Sequence, residues 1–442
     1  MGKISKSSAL FLTLIVAMSC LSFIVTIPTG LAQSGTNVNG IINSDTTWTT
    51  AGSPYTLTGP IDVIQGVTLT IEAGTTVNIQ SYYIQVDGTL TAKGNSISNI
   101  NLNGGRTGSI HFTKLSPSWN ENKGTGSIIE KCIINTTSIA IMIGDTSPKI
   151  NNNTIIGCIW MADSNSVGQS LTSASPIITN NKLIGNNYPL VLQISTSPLV
   201  AYNTIKGNIE TGTGSTIISH NNIEGSIESN GQYDYIGDNT IIGNGGGYGI
   251  RTGFGTIERN LITNFHDAIS FWIAAFPTIQ NNTIANNANG ISVIGYDRGS
   301  RNPQIRWNNF ENNSEYNIEL SMYETYPNAN INATYNWWGT IDTQLIAKTI
   351  QDYKSDFNLG NVSFTPFLTS PNAQALPSQS SGIPLPNTSP SPNNPASTPT
   401  PTLISPSSTV PELSWLAIVP LLLSLFSVAV LVRHRKTSNG NQ

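Results

Sequence analysis

The sequence predicts an all-β chain wound into a single-stranded parallel β-helix, and three residue columns predict it. Nine asparagines recur: Asn153, Asn181, Asn203, Asn221, Asn239, Asn260, Asn282, Asn308 and Asn336, spaced by 28, 22, 18, 18, 21, 22, 26 and 28 residues. Three positions before each stands Ile150, Ile178, Val200, Ile218, Ile236, Ile257, Ile279, Ile305 or, more weakly, Ala333. Two positions after stands Ile155, Leu183, Ile205, Ile223, Ile241, Ile262, Ile284, Phe310 or Trp338. Fixed columns at variable spacing describe a coil whose strands are constant and whose loops are not. Such periods belong to repeat architectures, and short β-branched runs broken by Gly, Asn and Pro exclude helical repeats.

Each column has a physical role. With three short strands per turn, equivalent residues stack about 4.8 Å apart. The asparagine is expected at a tight bend, where it tolerates a left-handed backbone and donates its amide to the asparagine of the next coil. The flanking aliphatics then fill the lumen, each burial worth roughly 1.5–3 kcal/mol. Four residues after the asparagine come Gly157, Gly185, Gly207, Gly225 and Gly243, replaced later by Asn264, Asn286 and Asn312. These residue types accept positive φ.

In chain order, residues 1–32 read as a signal peptide: Lys3 and Lys6, an apolar run over 9–27, then Gly30-Leu31-Ala32 as a small-x-small cleavage site. Residues 33–125 are expected to form an N-terminal cap and the first coils, 126–340 the repeats, and 341–369 a C-terminal cap. Residues 370–411, rich in Pro, Ser, Thr and Asn, read as an extended stalk. Residues 412–433 read as a transmembrane helix, since 413–432 carry no charge and Arg433, His434, Arg435 and Lys436 follow. Residues 434–442 would be a cytoplasmic tail. The expected localisation is therefore the cell surface, with the body extracellular and the membrane reached through the C-terminal helix.

A net charge of −4 over 442 residues leaves no basic footprint for nucleic acid. Only 10 % of residues are charged, which suits an extracellular β-rich protein. Cys20 lies in the leader, and Cys132 and Cys158 fall in different columns, so two buried thiols are expected rather than a disulfide. Asn-x-Ser/Thr sequons occur at Asn135, Asn152, Asn281, Asn312, Asn332, Asn361 and Asn387. Asn361 and Asn387 are the expected glycosylation sites, while Asn152 and Asn281 adjoin the ladder.

Upstream of the repeats lie Trp48, Pro54-Tyr55, Gly59-Pro60-Ile61, the stretch Gly66-Val67-Thr68-Leu69-Thr70-Ile71-Glu72-Ala73-Gly74-Thr75, and Val86-Asp87-Gly88-Thr89-Leu90. This block resembles the N-terminal cap of secreted right-handed parallel β-helix proteins. Asn336-Trp337-Trp338-Gly339-Thr340, Ile350-Gln351-Asp352 and Val362-Ser363-Phe364-Thr365-Pro366-Phe367 resemble their closing segment. The likeness covers about residues 40–370 and extends to pectate-lyase-like proteins and periplasmic copper-enzyme maturation proteins. It implies the right-handed winding. Pro411-Glu412-Leu413 before the apolar run resembles the Pro-Glu-Phe type sorting tail of archaeal surface proteins, with Leu413 in place of Phe.

Chemistry is sparse. The histidines are His111, His220, His266 and His434, and no Cys/His cluster has metal-ligand spacing. The paired-aspartate, Gly-His-Gly and Arg-x-Lys signatures of polygalacturonase-like proteins are missing. So are a nucleophile elbow and a phosphate loop, and no cofactor or metal is expected. His220 falls in the column before the asparagines, whose variability reads as a solvent face, and His266-Asp267 reads as a turn. One constellation remains. After each second turn an inward aliphatic is expected (Ile159, Ile209, Ile227, Ile250, Ile269, Ile291, Ile318), so the next residue points outward. That outward column holds Trp160, Val191, Glu210, Glu228, Arg251, Ser270, Ser292 and Glu319, with Trp272 two residues further in its coil. Glu210 and Glu228 on neighbouring rungs would repel unless Arg251, a cation or a proton compensates. The shortest coils lie here, and insertions on either side, at 163–175 and 295–302, would shape a saddle.

Three readings fit this column: a ligand-binding face of Trp160, Glu210, Glu228, Arg251 and Trp272; a catalytic set of Glu210, Glu228 and Arg251; or an ordinary solvated face. The expected function is a membrane-anchored surface protein with a structural, adhesive or glycan-binding role. Its partners would be cell-envelope polysaccharide or other surface proteins. The alternative is a polysaccharide lyase or glycoside hydrolase.

Overall fold

The computed structural model describes residues 35–161, 174–192, 197–272, 275–294, 303–321 and 330–378. They form a parallel β-solenoid of about 11 turns. Each coil contributes three strands, as in Thr204–Lys206, Ile209–Thr211 and Ile217–Ser219. One face is a 14-stranded sheet, built from the strands that precede the asparagines, and the other two faces join in a 23-stranded sheet. Pairing within both is parallel and in register from coil to coil: Ile150 on Ile178 on Val200 on Ile218 on Ile236.

The lumen is a set of apolar stacks. Ile155, Leu183, Ile223, Ile241, Ile262 and Ile284 are fully buried, as are Ile159, Ile209, Ile227, Ile250, Ile269, Ile291 and Ile318. The aliphatic stacks give way to rings at both ends of this body. Trp48 stacks on Tyr55 at 5.0 Å near the start, and Phe310 stacks on Trp338 at 5.0 Å near the close, with Phe364 edge-on to Trp338. A short helix, Thr343–Lys348, follows, its N-cap Asp342 accepting from the Gln344 and Leu345 amides, and it buries Ile346. Among the described residues no helix is long and apolar enough to cross a membrane. Residues 1–34 and 379–442, with the expected leader, most of the stalk and the apolar run, lie outside the described residues.

The asparagine ladder forms, with a different backbone from the one expected. Asn221 donates its backbone N–H and its Nδ2 to Asn239 Oδ1 at 2.9 and 3.0 Å, and Nδ2 also reaches Val200 O at 2.9 Å. The same pattern runs from Asn153 to Asn336. The left-handed residue is not the asparagine but the one before it. Asn152, Asn180, Tyr202, His220, Asp238, Arg259, Asn281, Trp307 and Tyr335 have φ of 52–61°. A bend there turns the following side chain inward, where it caps the carbonyls of the bend. The variable column is thus a strained turn position, and at Asp238 it is buried.

The glycine column has two causes. Gly157, Gly207 and Gly225 have positive φ, as do Asn264, Asn286 and Asn312. Gly185 and Gly243 are instead tight approaches: a Cβ would lie 2.7 Å from Pro189 N and 2.3 Å from Asn264 O, respectively. At this second bend a shorter ladder appears, with Phe265 N–H donating to Asn287 Oδ1 and Asn287 Nδ2 to Asn313 Oδ1.

Residues 370–378, expected to begin the stalk, dock on the coils. Asn372 N–H donates to Asn309 Oδ1 at 2.7 Å, and Asn372 Nδ2 to Asn281 Oδ1 at 3.0 Å. Thr283 Oγ1 donates to Ala375 O at 2.6 Å, and Ser378 N–H to Asp238 Oδ1 at 2.9 Å. Composition suggested a solvated chain. The bends, however, present side-chain amides and hydroxyls at coil spacing, which satisfy an extended backbone.

Candidate functional site

The outward column forms in the expected order. Trp160 pairs with Val191, Val191 with Glu210, Glu210 with Glu228, Glu228 with Arg251, Arg251 with Ser270, Ser270 with Ser292, and Ser292 with Glu319. Buried neighbours on either side, Ile209 and Thr211 about Glu210 and Ile227 and Ser229 about Glu228, fix the orientation, because a one-residue slip would drive the carboxylates into the lumen. Glu210 and Glu228 therefore stand one rung apart, about 4.8 Å.

Arg251 stands on the next rung but is held by rings. Its guanidinium lies 5.5 Å from the Tyr248 ring centre and 5.3 Å from that of Trp272. Among the described residues it makes no ion pair. Glu228 instead accepts from the Tyr248 hydroxyl, Oη to Oε2, at 3.2 Å. Burial, then Glu228 and Glu210, push the Tyr188 phenol up. Burial and Glu228 do the same to Tyr248. Tyr248 thus sits against the carboxylate pair and Tyr188 lies within reach of its charge, and the sequence reading named neither. Tyr188 and Tyr248 lie just before their inward aliphatics, at positions with no fixed side-chain column.

Two grooves open beside this cluster. One, of about 290 Å³, is lined by Glu228, Asn230, Arg251, Thr252, Phe254 and Trp272. The other, of about 500 Å³, is lined by Asn208, Glu224, Ser226, Asn244, Tyr248 and Phe265. Trp272 is 41 % exposed, so its ring is available as a platform. The grooves sit at opposite ends of the short outward strands, so the site runs across the coils more than along them. Trp160 is not part of it. Val191 separates it from Glu210, and its indole Nε1 is buried without a hydrogen-bond partner. The insertions expected to wall a saddle lie almost wholly outside the described residues.

Other candidates resolve as follows. Beyond Arg251 the outward column closes over: Ser270 and Ser292 are buried, and Glu319 accepts from Ser292 Oγ and Asn289 Nδ2 at 3.0 Å each. Burial pushes the Glu319 carboxyl up. His266 contacts Asp267 at 3.1 Å, and Asp267 in turn accepts from Asn289, so the pair anchors a strand start. His111 stacks on Tyr83 at 5.0 Å and shares a hydrogen bond with Ser109 at 2.6 Å, its pKa lowered by burial. Cys132 and Cys158 are free thiols, both pushed up to about 12 by burial, though Cys158 is only half-buried by exposure. Asn361 lies on the closing strand Asn361–Ser363, its Nδ2 donating to Ser363 Oγ at 3.2 Å, and Asn387 lies outside the described residues. Among the described residues no group of three His, Cys, Asp or Glu side chains is placed to hold a metal ion.

Compared with known proteins, the chain matches no family model, and no curated protein and no solved structure matches it.

Proposed function

We propose that this protein is a surface-displayed β-solenoid that binds polysaccharide across the face carrying Tyr188, Glu210, Glu228, Tyr248, Arg251 and Trp272. One observation carries the reading: an exposed indole and a phenol flank a guanidinium and a carboxylate within adjoining open grooves. Apolar sugar faces stack on such rings, and carboxylates accept their hydroxyl protons. The signal-like leader and the apolar run at 413–432 support display from a membrane, with the solenoid as a spacer that presents the face. A glycan array probed with the purified protein and with Trp272→Ala and Tyr248→Ala tests the reading. Hits that vanish in both variants, while melting temperature stays within about 2 °C, support it. An array with no hit removes it.

A second reading rests on the adjacent-rung pairing of Glu210 and Glu228. Carboxyl groups about 5–5.5 Å apart suit a retaining glycoside hydrolase. Reducing-end release from an array-positive glycan, abolished by Glu210→Gln or Glu228→Gln without loss of binding, would favour the enzyme over the adhesin.

A further inference from the structure

Many glycines of these coils have a structural cause. Gly207 and Gly225 have φ of 122° and 154°, and a Cβ on Gly243 or Gly249 would run into the carbonyl oxygen of Asn264 or Ala268. Gly246 and Gly253 have neither cause. Both lie outside the left-handed region, the atom nearest to a Cβ on Gly246 would be Asn244 Oδ1 at 3.9 Å, and a Cβ on Gly253 would meet nothing within 4 Å. A glycine loses more conformational freedom on folding than any other residue, and the fold gains neither a turn nor room in return. Both positions instead border a groove. Gly246 lies with Tyr248 in the groove of about 500 Å³, and Gly253 with Glu228, Arg251 and Trp272 in that of about 290 Å³. They flank one strand, Tyr248–Thr252, whose five residues span about 17 Å at ordinary strand rise. The Arg251 guanidinium stands on this strand between the Tyr248 and Trp272 rings, 5.5 and 5.3 Å from their centres. Glu228 and Arg251, of opposite sign, share one groove, so its lining favours neither a polyanion nor a polycation. Hydroxyls, which both donate and accept, suit the two groups equally.

We propose that the face binds a linear, uncharged polysaccharide lying along the strand Tyr248–Thr252, transverse to the stack of coils, and that Gly246 and Gly253 are the points where the sugar chain crosses the main chain. This rests on the glycan reading above and adds the direction and the chemical class of the ligand. A methyl group at either crossing takes the space that a sugar ring needs. A branch on the sugar chain does the same from the other side. A ligand that follows this path spans both grooves, so affinity grows with chain length until both are filled.

Calorimetry on the purified full-length protein tests this with cello-oligosaccharides against xyloglucan oligosaccharides, and manno-oligosaccharides against galactomanno-oligosaccharides. Each pair shares a backbone and differs in branching, and each is taken as a length series from the disaccharide upward. A linear series is expected to gain affinity with length and to bind at least about tenfold tighter than its branched counterpart, the size of effect that one misplaced carbon group has in a fitted site. Gly246→Ala and Gly253→Ala should each weaken the long linear chain by about tenfold. Both should keep or raise the melting temperature, because alanine restricts the unfolded chain and fits the folded one without strain. Trp272→Ala should weaken all binding. Glycine variants that bind like wild type, or branched chains that bind as tightly as linear ones, overturn the crossing path and leave the glycan reading standing where binding still depends on Trp272. A lowered melting temperature in either glycine variant gives that glycine a structural cause and overturns the path as well. Binding by neither linear series overturns the inference, and an empty glycan array then removes the reading beneath it.

Discussion

At the scale of single residues, the ladder asparagine performs several tasks at once. Asn239 accepts from Asn221 and donates to Ile218 O, Gly237 O and Asn260 Oδ1. Asn239→Ala leaves buried donors and acceptors without partners, at about 1–3 kcal/mol for each group left unsatisfied. Ile241→Asp should cost more, because its side chain is fully buried among aliphatics and an unpaired carboxylate there has no partner. Urea midpoints at constant m-value check both. Asp238, beside this ladder, links stability to pH. Burial pushes its carboxyl up, but hydrogen bonds from Arg259 and Ser378 outweigh this and hold it below the ordinary 3.8. Its contribution is therefore complete above that value and lost as pH falls through the folded pKa. His220 is lowered from 6.5, chiefly by burial, so its contribution is likewise complete above 6.5 and declines on acidification. Urea midpoints should fall from pH 7 to pH 3. His220→Asn, which keeps a residue suited to positive φ, should flatten the upper part of that curve, and Asp238→Asn the lower part.

Among the elements, the strap at 370–378 is the one composition concealed. Ala375 is fully buried where its carbonyl meets Thr283. Ala375→Asp should undock the strap without unwinding the coils. Hydrogen exchange should then speed up at residues 370–378 while amides of the central coils remain protected. The strap also bears on glycosylation. Asn281 Oδ1 accepts from Asn372, and Thr283 of the same sequon is bonded to Ala375, whereas Asn332 is exposed at the end of the strand Asn330–Asn332, where it accepts from Thr334. If the folded chain is the acceptor, glycopeptide mass spectrometry should find Asn332 occupied and Asn281 bare, with Asn281 gaining glycan in the Ala375→Asp variant.

For the whole molecule, the solenoid is a stack in which each coil touches only its neighbours, so stability is close to a sum of coil and interface contributions. The interval from Asn203 to Asn221 equals that from Asn221 to Asn239, at 18 residues each. Deleting residues 204–221 should therefore preserve every column, joining Asn203 to Asn222 in place of Thr204. The shortened protein should fold with the same strand-type circular dichroism and a melting temperature lowered by a few degrees. Glu210 goes with the coil, whereas Tyr248, Arg251 and Trp272 stay, so glycan binding should weaken and not vanish. Deleting only residues 204–212 puts outward residues into the lumen and should give no cooperative transition.

The sequence by itself determined the coil. The asparagine spacing with its flanking aliphatics placed the lumen stacks, and the alternation after Ile209 and Ile227 placed Glu210 and Glu228 on one outward face, because side-chain period in a strand is a local property. Tertiary structure decided what local pattern cannot carry. Which residue of the bend takes positive φ depends on where the asparagine side chain finds its carbonyls, one coil away. Tyr188 joins from the loop before the strand Leu190–Leu192 and Tyr248 from the first position of the strand Tyr248–Thr252, and Arg251 turns toward rings because Trp272 stands on the next rung, two residues along. The strap binds through backbone groups, which no side-chain pattern announces, on amides that only stacking brings to a common edge.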